Sequence, residues 1–278
     1  MEKIDLKKNT IQHYAHFINA AKKWSNNTIQ RVLTGKKGKI WVISSYSGVS
    51  LYNETKDDFE DYASDPLVPN SLLANTNVAI YEDREGVIWL GTTGYGLSYF
   101  NPEKNFFNTI YPASAIDNQV AETWARSVCE DKQGNLWLGT GRGLVKYDPV
   151  NRLFSTSLVN TDEEKRVIYY NSIRALLEDD NGDIWIGTAQ GLNRYHPSTG
   201  VVDFFTARQG MPLAFFWMIM KDKNGTIWLG SASGLYRYDR QKNNFDNLSK
   251  DSILSKCTSK NIQSLYVDSH NRLWVGML

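Results

Sequence analysis

The strongest constraint on this fold is a repeat that runs along the whole chain. Its clearest copy, residues 178–195, reads EDDNGDIWIGTAQGLNRY. The Trp in it recurs at intervals of 48, 48, 48, 43 and 46 residues, at Trp41, Trp89, Trp137, Trp185, Trp228 and Trp274. A fixed period of about 40 to 50 residues indicates a repeat architecture, and this length suits one four-stranded blade of a propeller.

The reference copy predicts four short strands, at residues 171–178, 183–188, 191–195 and 201–206. The first two carry apolar residues on both faces, as expected for a sheet packed between two others, and helical periodicity is absent. The dipeptide Asn181-Gly182 predicts a tight hairpin between the first and second strands, with positive φ at both turn positions. The sequence therefore predicts an all-β fold built from four-stranded antiparallel blades.

Five copies are complete and two are halves. The complete blades are expected near residues 28–62, 76–110, 124–158, 171–206 and 214–248. Residues 1–16 resemble the last two strands of a blade, and residues 261–278 resemble the first two. We expect a single propeller domain of about six blades, in which the two halves pair to close the ring; alternatively, the halves belong to different blades of a longer array.

Composition excludes several classes of function. Lys and Arg number 31 against 30 acidic residues, so no broad basic face for nucleic acid is expected. No apolar run approaches the roughly 18 residues needed to cross a bilayer, so we expect no membrane contact by this segment. The first residues, MEKIDLKKNT, lack a secretory signal, which leaves a cytoplasmic protein or a piece whose signal lies upstream.

The chemically conspicuous residues are expected to be structural. Cys129 lies in an apolar strand pattern and is expected to be a buried free thiol. The Asp-Gly turns resemble calcium loops superficially, but a loop starting at Asp222 would need Glu at its twelfth position, where Ser233 stands. The four histidines are scattered and no hydrolase or protease motif occurs, so we expect no catalytic site, no metal and no cofactor.

The six repeat Trp residues are expected to pack between blades, because each holds the same position after the first turn. Function is expected in the residues that vary. In a propeller, the connections that lead into the first strand and those between the second and third strands emerge on one face. The candidate ligand-binding residues on that face are Trp24, Asn27, Tyr95, Trp124, Arg126, Arg142, Tyr169, Tyr170, Arg174, Gln190, Phe216 and Trp217.

These residue types suit sugar recognition. Aromatic rings offer flat apolar surfaces to the C–H faces of pyranoses, and Arg, Asn and Gln donate hydrogen bonds to hydroxyl or acidic groups. Two other interpretations remain open for the same residues. They could pack under long loops, or they could form a protein interface, where Trp, Tyr and Arg are equally favoured.

The repeat resembles that of the two-component regulator propeller family. The matching residues of one copy are Glu130, Asp131, Gly134, Trp137, Gly139, Thr140, Gly143, Leu144, Tyr147, Asp148 and Pro149. This family is found mainly in periplasmic sensor regions of bacterial hybrid two-component systems, particularly those that regulate polysaccharide use in gut Bacteroides. The resemblance covers nearly the whole chain.

The resemblance implies a non-catalytic sensory propeller that binds a polysaccharide-derived oligosaccharide. It also implies a membrane-anchored periplasmic parent, a homodimer, in which this segment contacts another propeller or ectodomain and kinase activity resides in other parts. The alternative is a protein-interaction or dimerisation platform without a small-molecule ligand. A lyase or hydrolase built on a propeller is disfavoured because the sequence lacks a catalytic constellation.

Overall fold

The computed structural model describes residues 2–5, 10–13, 29–44, 48–65, 67, 71–72, 76–93, 96–101, 106–110, 125–141, 143–159, 172–248 and 260–277. The described elements are twenty-four β-strands and two short 3-10 turns. The chain divides into two compact units. The first contains Met1–Ala113 and Ala121–Ala125, and the second contains Ser114–Val120 and Arg126–Leu278.

The first unit holds ten strands and one 3-10 turn. These are β1 (Glu2–Asp5), β2 (Thr10–His13), β3 (Ile29–Thr34), η1 (Lys36–Gly38), β4 (Ile40–Ser44), β5 (Gly48–Asn53), β6 (Asp58–Tyr62), β7 (Asn77–Glu82), β8 (Ile88–Thr92), β9 (Leu97–Asn101) and β10 (Phe106–Ile110).

The second unit holds fourteen strands and the other 3-10 turn. These are β11 (Ser127–Glu130), β12 (Leu136–Gly139), β13 (Gly143–Asp148), β14 (Leu153–Val159), β15 (Ile173–Glu178), β16 (Ile184–Thr188), β17 (Leu192–His196), β18 (Val201–Phe204), η2 (Ala207–Gln209), β19 (Phe216–Lys221), β20 (Ile227–Ser231), β21 (Gly234–Asp239), β22 (Asn244–Asn247), β23 (Ile262–Val267) and β24 (Leu273–Met277).

Each complete repeat is one antiparallel sheet whose strands follow chain order. The four-stranded sheets are β3–β6, β7–β10, β11–β14, β15–β18 and β19–β22, and β1–β2 and β23–β24 are two-stranded sheets. The all-β, four-stranded blades predicted from the repeat are confirmed. The strands of the reference copy lie within two residues of their predicted bounds. Pairing of the two terminal half blades stays a prediction.

The hairpin turn of the reference copy is built differently from the prediction. Gly182 has φ 84°, but Asn181 does not have positive φ, so the expected two-residue turn is wrong. Instead Asp179 and Asp183 close a three-residue loop through an N–H···O bond of 2.9 Å. The Asp179 carboxylate accepts the backbone N–H groups of Asn181 at 2.8 Å and Asp183 at 3.2 Å. The side chain of Asp179 therefore organises this turn.

The same carboxylate also holds the repeat Trp. Asp179 Oδ2 accepts a hydrogen bond from the Trp185 indole at 3.0 Å. The equivalent bonds are Trp89 to Asp83 at 2.7 Å, Trp137 to Asp131 at 2.9 Å, Trp228 to Asp222 at 2.9 Å and Trp274 to Asp268 at 3.0 Å. We call this arrangement the Asp–Trp clamp. Trp41 is the exception, because Gly35 stands six residues before it.

The clamped Trp packs against the sheet that follows it in the chain. Trp185 is fully buried and meets Tyr238 of the next sheet edge-on at 4.7 Å. It also stacks at 5.3 Å on Phe205, which directly follows β18 of its own sheet. Trp137 meets Tyr195 of the next sheet edge-on at 5.7 Å. The predicted packing of the repeat Trp between blades is therefore confirmed at these two positions.

Trp274 departs from that prediction, since 54% of it is exposed. The clamp of Trp274 is thus formed without the packing that buries Trp185.

Close contact between neighbouring sheets explains the Gly that follows the repeat Trp by two positions. A Cβ atom at Gly139 would lie 2.4 Å from Ile173 Cγ2 of the next sheet, and one at Gly187 would lie 3.0 Å from Phe216 Cβ. Real Cβ atoms do not approach carbon so closely as the first of these distances. Packing between neighbouring sheets therefore requires Gly at position 139.

The hairpin turns also join one sheet to the next. The Lys132 backbone N–H donates to Glu178 Oε1 at 3.0 Å, and its ammonium group donates to the Asp180 carbonyl. Lys223 repeats this arrangement, with its backbone N–H 2.9 Å from Asn271 Oδ1. These bonds fasten the clamp-bearing turns of consecutive sheets together.

A charged cluster joins β17, β18 and the turn before β16 in the reference sheet. His196 places Nδ1 2.7 Å from Asp183 Oδ1 and Nε2 3.0 Å from Asp203 Oδ2. Asp203 Oδ2 also accepts a hydrogen bond from Arg194 at 2.6 Å. Burial by itself lowers the pKa of His196, but Asp203 and Asp183 outweigh it, so this pKa lies above its ordinary value.

Cys129 is a buried free thiol, as predicted. Burial raises its pKa well above the ordinary value, and the nearby charges of Glu178 and Asp131 add to the effect. Because the thiolate is the reactive species, this residue has a structural role in the core.

Trp185→Ala should lower the free energy of unfolding by about 3 to 5 kcal/mol, because it empties a fully buried site. Trp274→Ala is the matched control: it removes the same side chain and the same indole hydrogen bond from an exposed position, and should cost clearly less. Denaturant unfolding followed by circular dichroism measures both. Equal losses would contradict the assignment of Trp185 to inter-sheet packing.

The raised pKa of His196 makes part of the stability dependent on pH. Because the folded-state pKa is raised, protonated His196 stabilises the fold, and this contribution is complete at pH values below the unfolded-state pKa of about 6.5. It is lost as the pH rises through the folded-state pKa. We therefore expect the stability difference between the wild type and His196→Gln to shrink by up to about 1 kcal/mol from pH 5.5 to pH 8.5. Exposed His270→Gln is the control, and a difference that grows with pH would contradict the assignment.

Candidate functional site

Within the described residues, a β-bulge recurs at the start of the first strand of five sheets, in β3, β7, β15, β19 and β23. In β15, Ile173 pairs with Thr188 and Ala175 pairs with Gly187, which leaves Arg174 out of register. Trp217 holds the same place in β19. Bulges re-aim side chains and are common next to binding sites.

The bulged residue stands eleven positions before its repeat Trp, and Arg126 holds the corresponding position before β11. The Arg126 backbone N–H donates to the Gly139 carbonyl at 2.8 Å. The strands β11, β15, β19 and β23 neighbour one another in that order. Arg126, Arg174 and Trp217 therefore occupy equivalent positions on consecutive first strands, and we call these three residues the bulge row.

Each of two bulge-row residues reaches the sheet that follows it. The Arg174 guanidinium carbon lies 5.0 Å from the centre of the Phe215 ring. The Trp217 indole donates a hydrogen bond to Asn261 Oδ1 at 3.1 Å. Phe215 and Trp217 stack on each other, with ring centres 4.0 Å apart and planes inclined by 28°. All four side chains are only partly buried, so guanidinium, aromatic faces and amide form one semi-exposed surface.

The two arginines are close enough to influence each other. Burial lowers the pKa of Arg126 to about 10, and repulsion from the Arg174 charge adds to this. Arg126 is still a cation at neutral pH. Two positively charged residues thus lie at the start of the neighbouring strands β11 and β15.

The turns between second and third strands lie at the same end of the sheets, as the sequence predicts. Ala189 donates its backbone N–H to the Ser172 carbonyl at 3.3 Å, and Ala232 donates to the Phe215 carbonyl at 2.9 Å. Gln190 is exposed on the first of these turns. These bonds place the turn of Gln190 next to the entry of β15, where Arg174 lies.

Phe216 requires a correction. It is fully buried and packs in the apolar core with Trp185, Tyr236 and Ile219. Its position, one residue before the bulge, is also filled by buried Ile173 and Ile262 in neighbouring sheets. The residue that faces outward is Trp217, so we leave Phe216 out of the candidate set.

Four of the predicted residues, Arg126, Arg174, Gln190 and Trp217, are therefore placed at one end of the sheets in the second unit. Seven candidates lie outside the described residues, namely Trp24, Asn27, Tyr95, Trp124, Arg142, Tyr169 and Tyr170. The sequence reasoning missed Asn261, which orients the Trp217 indole. Alignment of the repeat copies identifies this residue, because Asn261 is the equivalent of Phe215 in the next copy.

A cleft of about 560 Å³ lies elsewhere in the second unit, where η2 approaches β21 and β22. Its polar groups already bond within the protein: Asn247 donates to the Tyr236 hydroxyl at 3.1 Å, and Asp246 accepts from Arg237 at 2.8 Å. It contains none of the predicted residues. The bulge row, with cations beside stacked rings, is the better candidate site.

Two kinds of feature are absent from the described residues. No group of three or more His, Cys, Asp or Glu side chains is arranged to hold a metal ion there. No helix in the described part of the chain is long and apolar enough to span a membrane.

Solved structures with similar folds include two extracellular domains named as parts of hybrid two-component systems of B. thetaiotaomicron. One is 20% identical with a TM-score of 0.76, and the match covers 97% of this chain and 35% of that one. The other is 19% identical with a TM-score of 0.68, covering 94% and 34%. This chain therefore spans about a third of the length of those proteins.

A catalytically inactive virginiamycin B lyase from Staphylococcus aureus, solved with quinupristin, has the same fold. It is 12% identical with a TM-score of 0.71, and the match covers 99% of this chain and 84% of the lyase. At these identities the likeness shows the fold alone. A sequence search against curated proteins gave no match.

The family model described as two component regulator propeller matches four segments of the chain, residues 71–94, 120–142, 170–190 and 258–278. The second and third segments include the Asp–Trp clamps of Trp137 and Trp185 and the bulge positions of Arg126 and Arg174. The solved relatives have the fold that these repeats build. The chain therefore carries the repeats of the two-component regulator propeller family and has a β-propeller fold.

Proposed function

We propose that this chain is the ligand-sensing part of a two-component signalling protein and that it binds an oligosaccharide at the bulge row. In this proposal the segment lies in the periplasm as part of a membrane-anchored parent. Binding is passed to kinase parts elsewhere in that parent. The segment itself carries out no catalysis.

The observation that carries the proposal is the contrast between fixed and variable positions of one repeat. Each clamp position in the second unit is Asp and Trp, whereas the bulge position changes from Arg126 and Arg174 to Trp217. Scaffold residues repeat because every sheet needs them. The sheet does not need large, partly buried Arg and Trp side chains at the bulge position. Their presence there favours a role in ligand recognition.

The chemistry of these side chains favours a sugar. The partly exposed Phe215 and Trp217 rings contribute apolar aromatic surface, and the Arg174 guanidinium beside them donates in a planar fork. Gln190, exposed on the adjacent turn, adds an amide that both donates and accepts. Flat apolar surface next to convergent hydrogen-bonding groups is the pattern that sugar rings require.

The sensory role is supported by the kind of protein in which similar propellers occur. The two extracellular domains of B. thetaiotaomicron are parts of hybrid two-component systems, and the family model bears the same association. A segment outside the membrane would receive the ligand, and other parts of such a parent would carry the signal inward.

Isothermal titration calorimetry with a panel of neutral and acidic plant and animal oligosaccharides tests the proposal. We expect at least one to bind the wild type. Trp217→Ala should weaken that binding by tenfold or more, as loss of an aromatic anchor does. Exposed Trp274→Ala, which removes a Trp from β24, is the matched control and should bind as the wild type does.

Three outcomes would contradict the proposal. If no oligosaccharide binds, the assignment of oligosaccharide sensing to the bulge row is wrong. If Trp217→Ala binds as tightly as the wild type while remaining folded, the site lies elsewhere. If chromatography finds that a bound glycan has been converted to new products, the segment is an enzyme.

A protein-interaction platform is the second candidate function. Tyr266 and Trp274 face each other across β23 and β24, and each is more than half exposed. Exposed aromatic pairs of this kind favour a contact with another propeller or with a second copy in a homodimeric parent. Self-association that Trp274→Ala abolishes, together with no glycan binding, would favour this function.

A further inference from the structure

His196 departs from the repeat at a position where the other complete copies carry Asp or Asn. In each copy one residue pairs with the repeat Trp, and the residue two positions later is His196 in the reference copy and Asn53, Asn101, Asp148 and Asp239 in the others. Asp148 and Asp239 accept backbone N–H groups of the turns that follow them. His196 instead directs its ring at two carboxylates on other elements.

The surroundings of His196 are described without a gap, because residues 172–248 contain both its own sheet and the sheet that follows. Among these residues, the charged groups that face it are Asp183 from the turn before β16, Asp203 from β18 and Arg194 from β17. The next sheet contributes one titratable group, Tyr238, whose hydroxyl accepts a hydrogen bond from Arg194 at 3.2 Å. The His196 ring therefore lies between two carboxylates, one at each nitrogen.

The number of protons on the His196 ring decides how many of these contacts are hydrogen bonds. An imidazolium donates from both nitrogens, whereas a neutral imidazole has one N–H and one lone pair. With Nδ1 2.7 Å from Asp183 and Nε2 3.0 Å from Asp203, a lone pair on either nitrogen repels the carboxylate oxygen that it faces. The neutral ring must therefore give up one of the two carboxylates.

The carboxylate that the neutral ring gives up is that of Asp203. Its Oδ2 also accepts hydrogen bonds from Arg194 Nη2 at 2.6 Å and Nε at 3.1 Å, and 38% of the side chain is exposed to water. The Asp183 side chain is 14% exposed, and within the described residues its carboxylate bonds His196 alone. Loss of that bond would leave a largely buried charge without a partner, which is the more costly outcome.

The bond to Asp203 connects the outer edge of the sheet to the clamp-bearing turn. β18 is the outermost strand of its sheet and pairs with β17. Protonated His196 links Asp203 of β18 to Asp183, whose backbone N–H donates to Asp179 at 3.2 Å. The neutral ring leaves Asp203 bonded to Arg194. β18 then keeps its contact with β17 but loses its connection to that turn.

We propose that His196 is a pH-dependent latch: as an imidazolium it ties β18 to the turn before β16, and on losing its proton it releases Asp203 and keeps Asp183. The pKa of His196 lies above its ordinary value of about 6.5, so the latch opens above that pH. The latch concerns the outer edge of one sheet and does not depend on the proposed ligand.

The side-chain nitrogens of His196 test the latch in the wild-type protein. Two-dimensional 1H–15N NMR spectra recorded from about pH 5.5 to about pH 9.5 follow its protonation and identify the neutral tautomer, and His196→Gln assigns its signals. We expect a midpoint above that of exposed His270 and a neutral ring protonated mainly on Nδ1. A neutral ring protonated mainly on Nε2, or a midpoint at or below that of His270, would overturn the proposal.

Hydrogen exchange followed by mass spectrometry measures the release of β18. Division of each observed rate by the intrinsic rate at the same pH leaves the protection that the structure provides. From about pH 6 to about pH 9, the protection of residues 201–204 should fall by about two- to fivefold, as expected for one partly exposed ionic hydrogen bond. Residues 244–247 are the matched control, because Asp246 pairs there with Arg237 at 2.8 Å and Asp239 stands in place of His196.

The His196→Gln variant assigns the fall in protection to the imidazole. Its amide does not titrate, so residues 201–204 should show the same protection at both pH values. No fall in the wild type, an equal fall in residues 244–247, or an equal fall in His196→Gln would each overturn the latch.

Discussion

The Asp–Trp clamp is the interaction on which the rest of this structure depends. One carboxylate shapes the turn between the first two strands through backbone N–H groups and fixes the indole of the repeat Trp, as Asp179 does for Trp185. The fixed indole then packs on Tyr238 of the next sheet. A single side chain thus connects local turn geometry to the packing between sheets, which explains why the pair recurs at a nearly constant spacing.

The clamp also separates scaffold from site along each first strand. Asp131 and Asp179 lie in the turns that follow β11 and β15, whereas Arg126 and Arg174 lie where those strands begin. Because the clamp end is fixed by hydrogen bonds, the other end can vary without loss of the fold. The bulge adds to this freedom, since a bulged residue is released from the alternation of the sheet and can face outward.

The sequence predicts the sheets well because their periodicity is visible in the chain itself, in Trp137, Trp185 and their equivalents. It predicts less where a feature depends on pairing between strands. The bulge is such a feature, and overlooking it led to Phe216 being counted with Trp217, although one is core and the other faces outward. The turn of Asp179 was missed for a related reason: the carboxylate organises backbone groups that a dipeptide rule for Asn181-Gly182 does not consider.

Comparison of Asp179→Asn with Asp180→Asn tests the central role of the clamp most directly. The two residues are adjacent, but Asp179 is 2% exposed and bonds Trp185, whereas the side chain of Asp180 is 50% exposed and pairs with Lys221. Denaturant unfolding should show a loss of about 2 to 3 kcal/mol for Asp179→Asn and less than about 1 kcal/mol for Asp180→Asn. Equal losses, or no loss at Asp179, would contradict the account.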